Sequence, residues 1–233
     1  MTPPVKRPTG HHHGDLRPAL EEAALGLIAE QGAKGFALAE VCRRAGVSVA
    51  APYKHFADRD ELLAVIARRG YEEQRRRYLE AMKSNLGPVA QMAAFADAYV
   101  QFAVEERALF ETMFAAGLDK ARYPELAAAG AALFAVLDEP ARQLRGNVAA
   151  ARALILDVTA AAHGWATFLL EGVLADEGDP LAFARRRASL AAKVLAADGM
   201  KRRSADTGRA GITPSAIAHS PARRSGKPPL ADP

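Results

Sequence analysis

The chain has one cysteine in 233 residues, Cys42, so no disulfide can form within it. Cysteine used this sparingly fits a reducing compartment, and the cytoplasm is the expected location. Aromatic residues make up only 6% of the chain, and no stretch alternates polar and apolar residues long enough to suggest a strand. No apolar run is expected to reach the roughly 18 residues that a membrane span needs, so no membrane partner is expected. Residues 1–14 lack the apolar centre of a signal peptide. There is no glycine-rich phosphate loop, no zinc-type Cys/His spacing and no nucleophile elbow. No catalytic residue, cofactor or metal site is therefore expected. The acidic run Asp176-Glu177-Gly178-Asp179 precedes Pro180 and reads as an exposed turn and helix cap rather than a catalytic pair.

What is present is half hydrophobic and rich in alanine, which favours helices. The net charge of +4 is uneven. Residues 1–14 contribute +2, 15–77 contribute +1, 78–198 contribute −4 and 199–233 contribute +5. Basic ends around an acidic middle suit contact with a polyanion through the ends, or simple solvation of two tails. Residues 1–14, with His11-His12-His13, read as a disordered arm, and residues 200–233, rich in Pro, Ser, Gly and Arg, as a disordered basic tail.

Between these ends the pattern is all-α, with about nine helices. Asp15 is placed to cap a helix over 16–31, whose Leu16, Leu20, Ala23, Ala24, Leu27 and Ile28 form one stripe, and Gly32 closes it. Short helices are predicted at 38–45 and 49–55, separated by the turn Ala45-Gly46-Val47-Ser48. Asp58 caps the next helix, with Glu61 as its capping-box partner, and that helix runs towards Met82. After the break Asn85-Leu86-Gly87-Pro88, helices are predicted over 89–105, 107–116, 124–145, 147–174 and 181–197, the last closed by Gly199.

Two short helices around a glycine turn, early in a helical chain, suit a unit that reads DNA. Cys42 and Ala45 are small enough for the helices to cross closely, Gly46 permits a positive φ, and Val47 plugs the interior. Ser48 would cap the second helix and leave its positive end outward. Ser48, Val49, Ala50, Ala51, Tyr53 and Lys54 then face a groove, while Tyr53, His55 and Arg59 reach phosphates. Val49, Ala50 and Ala51 cannot hydrogen-bond to bases, so readout would rest on thymine methyl groups and DNA shape.

The string Gly46-Val47-Ser48 through Tyr53-Lys54-His55-Phe56 to Asp58-Arg59-Asp60-Glu61-Leu62-Leu63 resembles the signature of the TetR family of bacterial repressors. The close match spans residues 12–72. Two positions depart from it. Ala37 stands where the family usually has a capping Ser or Thr, and Ala39 where many members carry Arg. The resemblance implies a helix-turn-helix domain over 15–77 and a ligand-binding and dimerisation domain over 78–199. It also implies a homodimeric repressor on a near-palindromic site in double-stranded DNA, released by an unknown small-molecule effector and located with the bacterial nucleoid. His163-Gly164 resembles a pair found in the penultimate helix of one subgroup.

The larger domain holds most of the aromatics. Phe95, Tyr99, Phe102, Met113, Phe134, His163, Trp165 and Phe168 are candidate pocket residues, and each is equally suited to ordinary core. Ala149, Ala153, Val158 and Ala161 are candidates for a dimer contact. A helical interaction module without sequence-specific DNA binding is the rival reading, and salt-dependent binding to DNA separates the two.

Overall fold

The computed structural model describes the backbone of residues 16–83, 85–115 and 117–209, with side chains through Asp198 apart from Ala115. The arm at 1–14, the Asp15 cap and the tail beyond residue 209 lie outside the described residues. Within them the chain is all helix. α1 (Leu16–Gln31), α2 (Leu38–Arg44) and the front of α3 (Arg59–Ala81) form an N-terminal head. α4 (Pro88–Glu105), α5 (Arg107–Ala115), α6 (Pro124–Ala135), α7 (Asp138–Arg145), α8 (Val148–Leu170) and α9 (Pro180–Arg209) form a larger bundle.

The head is built on the stripe that the sequence shows. Leu20, Ala24, Leu27 and Ile28 of α1 are buried against Val41 and Cys42 of α2, Phe56, and Leu62, Leu63 and Ile66 of α3. Gly32 has φ +76° and its N–H bonds to the Ile28 carbonyl at 2.8 Å, which ends α1. α3 continues without a break through the expected boundary near residue 77, and its rear half buries Tyr71 and Tyr78 in the bundle. One rigid helix thus serves both halves of the molecule. Arg77 fastens the rear half of α3 to the bundle, with Glu73 of the same helix at 2.7 Å on one side and Glu105 and Glu106 of the α4–α5 corner on the other.

Four elements differ from the sequence reading. The stretch 49–55 is not a helix but a turn followed by one 3-10 turn, Pro52–Lys54. Pro52 has no N–H to give the Ser48 carbonyl, so the segment lacks one of the few intrahelical hydrogen bonds that so short a helix could make. The helix expected over 124–145 is two helices, α6 and α7. Pro140 cannot donate to residue 136, so the chain breaks at Val136-Leu137 and restarts with Asp138 and Glu139 in the first turn. Gly199 does not end α9, which runs on to Arg209. A glycine costs a helix about 1 kcal/mol relative to alanine, but it stops one only by turning left-handed. α8 is also shorter than expected, ending at Leu170 before Gly172 at φ +77°.

α8 corrects a fifth expectation. Its 23 residues have a stretch of mean hydropathy 1.5, long and apolar enough to cross a membrane. One face of it is nonetheless packed in the bundle, where Leu154, Val158, Ala162 and Ala166 are buried against neighbouring helices.

α9 packs through alanine. Ala184, Ala188, Ala192 and Ala196 recur every fourth residue and are all fully buried. With only a methyl group at each contact, α9 comes close to α4 and α8. Arg185 grips Asp97 of α4 through two hydrogen bonds of 3.0 and 2.7 Å, and Ser189 donates to the Ala93 carbonyl at 2.9 Å. There is no room for a larger side chain in this seam. Ala188→Leu should lower stability by about 1–3 kcal/mol, read as a fall in the thermal midpoint, whereas Lys193→Ala on the exposed side should leave it unchanged.

Candidate nucleic-acid interface

The head holds its outward segment by packing on both sides. Gly46 turns the chain at φ +70°, and the Val47 N–H returns to the Cys42 carbonyl at 3.0 Å. Val47 then packs against the core, as the sequence suggested. On the far side Phe56 is 1% exposed. The Asp58 carboxylate accepts the Glu61 N–H at 2.8 Å, and the Glu61 carboxylate accepts the Ala57 N–H at 2.5 Å, so the entry to α3 is capped. At α2 the missing Ser or Thr is partly offset, because the Glu40 carboxylate accepts the Ala37 N–H at 2.9 Å. Cys42 is buried, and desolvation pushes its thiol pKa up, so it is an unreactive core residue.

Between Val47 and Phe56 the chain faces out except at Pro52, which is buried and holds the middle of the segment down. Ser48, Val49, Ala50, Tyr53 and Lys54 are exposed, with Val49 at 65% and Tyr53 at 63%. Ala51 and His55 are half-buried. Ser48 acts through its backbone, its carbonyl accepting from the Ala51 N–H at 3.0 Å, and the 3-10 turn has no side-chain cap. A valine and a tyrosine left this open on a small domain form an apolar tip with a lysine beside it. That composition suits the methyl-lined floor and charged walls of a DNA groove.

Arg59 has a different job from the one expected of it. Its Nε donates to the Phe36 carbonyl at 3.0 Å, and its terminal amine reaches the Ala33 carbonyl. The guanidinium also lies 4.6 Å from the Phe36 ring centroid. The side chain thus ties α3 to the loop before α2 and is not free to clamp a phosphate. Two more arginines act alike. Arg44 of α2 grips Glu30 of α1 at 2.8 and 2.7 Å, and Arg69 of α3 reaches Glu22 of α1 at 2.6 Å. Gly26 lets the Arg44 guanidinium lie close over α1, since a Cβ there would meet it at 2.9 Å and push this flexible end aside. A residue that the sequence reading passed over is Arg43, at the end of α2 beside the turn. Its side chain is 78% exposed, with Glu40 at 3.6 Å. The signal available was its position, next to buried Val41 and Cys42 on a helix of only seven residues.

Comparison with known proteins follows these two halves. Residues 20–66 match the model of bacterial regulatory proteins of the tetR family, and residues 92–190 match a tetracyclin repressor-like C-terminal domain. The chain belongs to the TetR family of transcriptional regulators. Its N-terminal head is therefore the helix-turn-helix DNA-binding domain of that family. The fold is similar to that of a protein of unknown function from Rhodococcus sp. RHA1, at 30% identity and TM-score 0.66, covering 81% of this chain and 97% of the other. It is also similar to a tetR-family regulatory protein from Rhodococcus RHA1, at 16% identity and TM-score 0.61, covering 77% and 96% of the two chains. The TetR family regulator PfmR from Thermus thermophilus aligns at 19% identity and TM-score 0.58, covering 75% and 97%. No curated protein matches the sequence.

The C-terminal half of this TetR-family chain distributes the candidate pocket residues over four places. Phe95, Tyr99, Phe102 and Met113 are buried in the core, where Phe95 meets Tyr78 and Tyr99 edge to face. Trp165 and Phe168 lie on the α8–α9 side, with Phe183 of α9 at 6.0 Å from Trp165 and Arg187 over the Trp165 ring. Of these candidates only Phe134 lines a cleft of about 640 Å³ between α6 and the α7–α8 corner. The aromatics were drawn to the core because their rings bury more surface than any other side chain. The cleft is instead walled by small residues of α6, namely Ala127, Gly130, Ala131 and Ala135, which no aromatic pattern reveals. Among the described residues no group of three His, Cys, Asp or Glu side chains could hold a metal ion.

His163 of α8 sits at a separate corner. Its Nδ1 is 2.9 Å from the Tyr99 hydroxyl, its ring stacks on Phe110, and Phe114 lies at 4.9 Å. Desolvation lowers its pKa from the ordinary 6.5.

The head gives a pair of contrasting outcomes. Lys54→Ala should weaken DNA binding and lower the slope of log affinity against log salt by about 1, with the thermal midpoint unchanged. Arg59→Ala should instead cost about 2–4 kcal/mol of stability, measured by denaturant unfolding without DNA. For His163 the unfolded chain takes up the proton first as pH falls. Its contribution to stability is whole above about pH 6.5 and is lost as pH drops through the lower folded-state value. His163→Phe should flatten this part of the stability profile between neutral and mildly acid pH, followed by thermal unfolding in a pH series.

Proposed function

We propose that the chain is a homodimeric repressor that binds a near-palindromic DNA site and is released by a small molecule. The observation that carries this is the outward segment 48–54, held between half-buried Val47 and buried Phe56 with Val49, Tyr53 and Lys54 exposed. Ser48, Val49, Ala50, Ala51 and Tyr53 lie against bases, while Lys54 and His55 stand at the groove wall. Arg43 joins them as a phosphate contact. Arg59 acts from behind, by holding the segment's frame. The protein works as a binding protein in the cytoplasm, not as an enzyme.

A two-fold partner suits the α8–α9 face. Ala149, Ala153 and Ala160 of α8 are exposed at helical spacing, as are Leu190 and Val194 of α9. Val158, an early candidate for this contact, is fully buried within its own bundle and takes no part. An apolar stripe on two adjacent long helices is the surface that a four-helix dimer seam covers. Such a dimer sets two outward segments roughly 34–36 Å apart, one helical turn of DNA. The cleft between α6 and α8 is the place for the effector, its volume within the usual range for small-molecule sites.

Selection of bound fragments from genomic DNA, followed by footprinting, tests the reading directly. The expected result is a protected near-palindrome bound by two chains. Replacing thymine by uracil in that site should weaken binding several-fold, because Val49 and Ala50 meet bases through methyl contact. Binding that ignores salt and sequence, or a chain that sediments as a monomer, would refute the proposal and favour an interaction module.

A further inference from the structure

We infer that the cleft between α6 and α8 takes an amphipathic anion, an apolar body carrying one carboxylate or similar group, and signals its occupancy to the DNA-binding head through the segment 120–130. This rests on the effector-responsive reading for what the signal serves, but not for the chemistry of the cleft.

The walls decide the class of ligand. Phe134, Ile155, Leu156 and the small residues of α6 make most of the surface apolar. The charged groups in the lining are Lys120, Arg142, Arg152 and Asp138, so cations outnumber anions by two. Arg142 is engaged, with Asp138 at 3.7 Å and Glu139 at 3.9 Å. Arg152 and Lys120 have no carboxylate partner among the described residues. The only polar group that Lys120 holds there is neutral, the Tyr71 hydroxyl, to which its Nζ donates at 2.7 Å. An apolar cleft of this size with two uncompensated cations favours a molecule that brings its own negative charge.

The same segment carries the signal. Tyr71 belongs to α3 and is buried, and Lys120 lies 4.9 Å from its ring centroid. Gly130 of α6 also lies against that ring, whose atoms stand within 4 Å of where a Gly130 Cβ would be. Arg122 then reaches Asp58 at 3.6 Å, and Glu125 stands 3.8 Å from Arg68. Asp58 is the cap of α3, two residues beyond the buried Phe56 anchor. A ligand anion that draws Lys120 away from Tyr71 displaces a segment whose next basic residue, Arg122, reaches the cap of α3, just behind the outward segment. α6 packs chiefly on α3 and on this segment, so the movement has little else to resist it.

The test uses two fluorescent probes with the same aromatic body, anilinonaphthalenesulfonate and the uncharged phenylnaphthylamine, titrated into the full chain without DNA. The sulfonate should bind at least tenfold more tightly than the uncharged probe. The double variant Arg152→Gln with Lys120→Gln should remove that preference while leaving the uncharged probe within twofold of its original affinity. Ala131→Trp, which fills the cleft, should abolish binding of both. Equal affinity for the two probes, or a double variant that keeps the preference, overturns the assignment. For the signal, saturating sulfonate should change amide hydrogen exchange at residues 52–63 by at least threefold. Arg122→Ala, outside the cleft, should retain probe binding and lose that change. No change in the parent chain overturns the coupling. A fall in sedimenting mass on adding probe would mark the cleft as a contact between copies and would also overturn it. Because no arm contains DNA, these failures stay separate from a failure of the repressor reading, which only the footprint decides.

Discussion

Burial of Phe56 is the constraint on which the head depends. Residues 48–55 have few internal hydrogen bonds, and a proline removes one that a helix would need. The segment has a place because Val47 and Phe56 at its ends are committed to the interior formed by Val41, Cys42, Leu62 and Leu63. With both ends held inward, the arc between them bulges outward and carries Val49, Tyr53 and Lys54 with it. The exposed tip is a consequence of what is buried on either side of it, not of any preference of its own residues.

Arginine side chains fix the orientation of that tip. Arg44, Arg59 and Arg69 each join two parts of the head, to Glu30, to two backbone carbonyls and to Glu22 respectively. Exposed ion pairs are individually weak, but the Arg59 contact is of another kind. It satisfies two carbonyls in the loop between α1 and α2 with one rigid fork, and stacks on Phe36 as it does so. The angle between α2 and α3 is set there, and with it the direction in which the tip points.

α3 is the other organising element. Its front half belongs to the head and its rear half to the bundle, so no flexible linker separates the part that meets DNA from the part with the cleft. Arg77 fastens the rear half to the α4–α5 corner, and hydrogen bonds from Arg76 and Arg77 hold the Glu73 carboxyl down to about 2. Two structures joined by a continuous helix can influence each other by small rotations, without either of them unfolding.

The sequence alone determined the all-helical class, the limits of α1, the Gly32 and Gly46 turns, the Asp58 cap and the family. Each of these is local: a stripe of apolar residues at helical spacing, or one residue type whose backbone or side chain suits one place. The tertiary structure decided the rest. The sequence suggested about nine helices, and nine α-helices are present among the described residues, but they are not the same nine. The expected third is a turn, because Pro52 and the pull of Phe56 outweigh helical propensity, and the expected helix over 124–145 became two. Arg59 could be read as a phosphate contact from its neighbours in the chain, yet its partners, Ala33 and Phe36, lie more than twenty residues away. The cleft shows the same limit. It is walled by alanines and a glycine that carry no signal in the sequence, and it exists only because α6 leans on α3 and leaves a space beside α8.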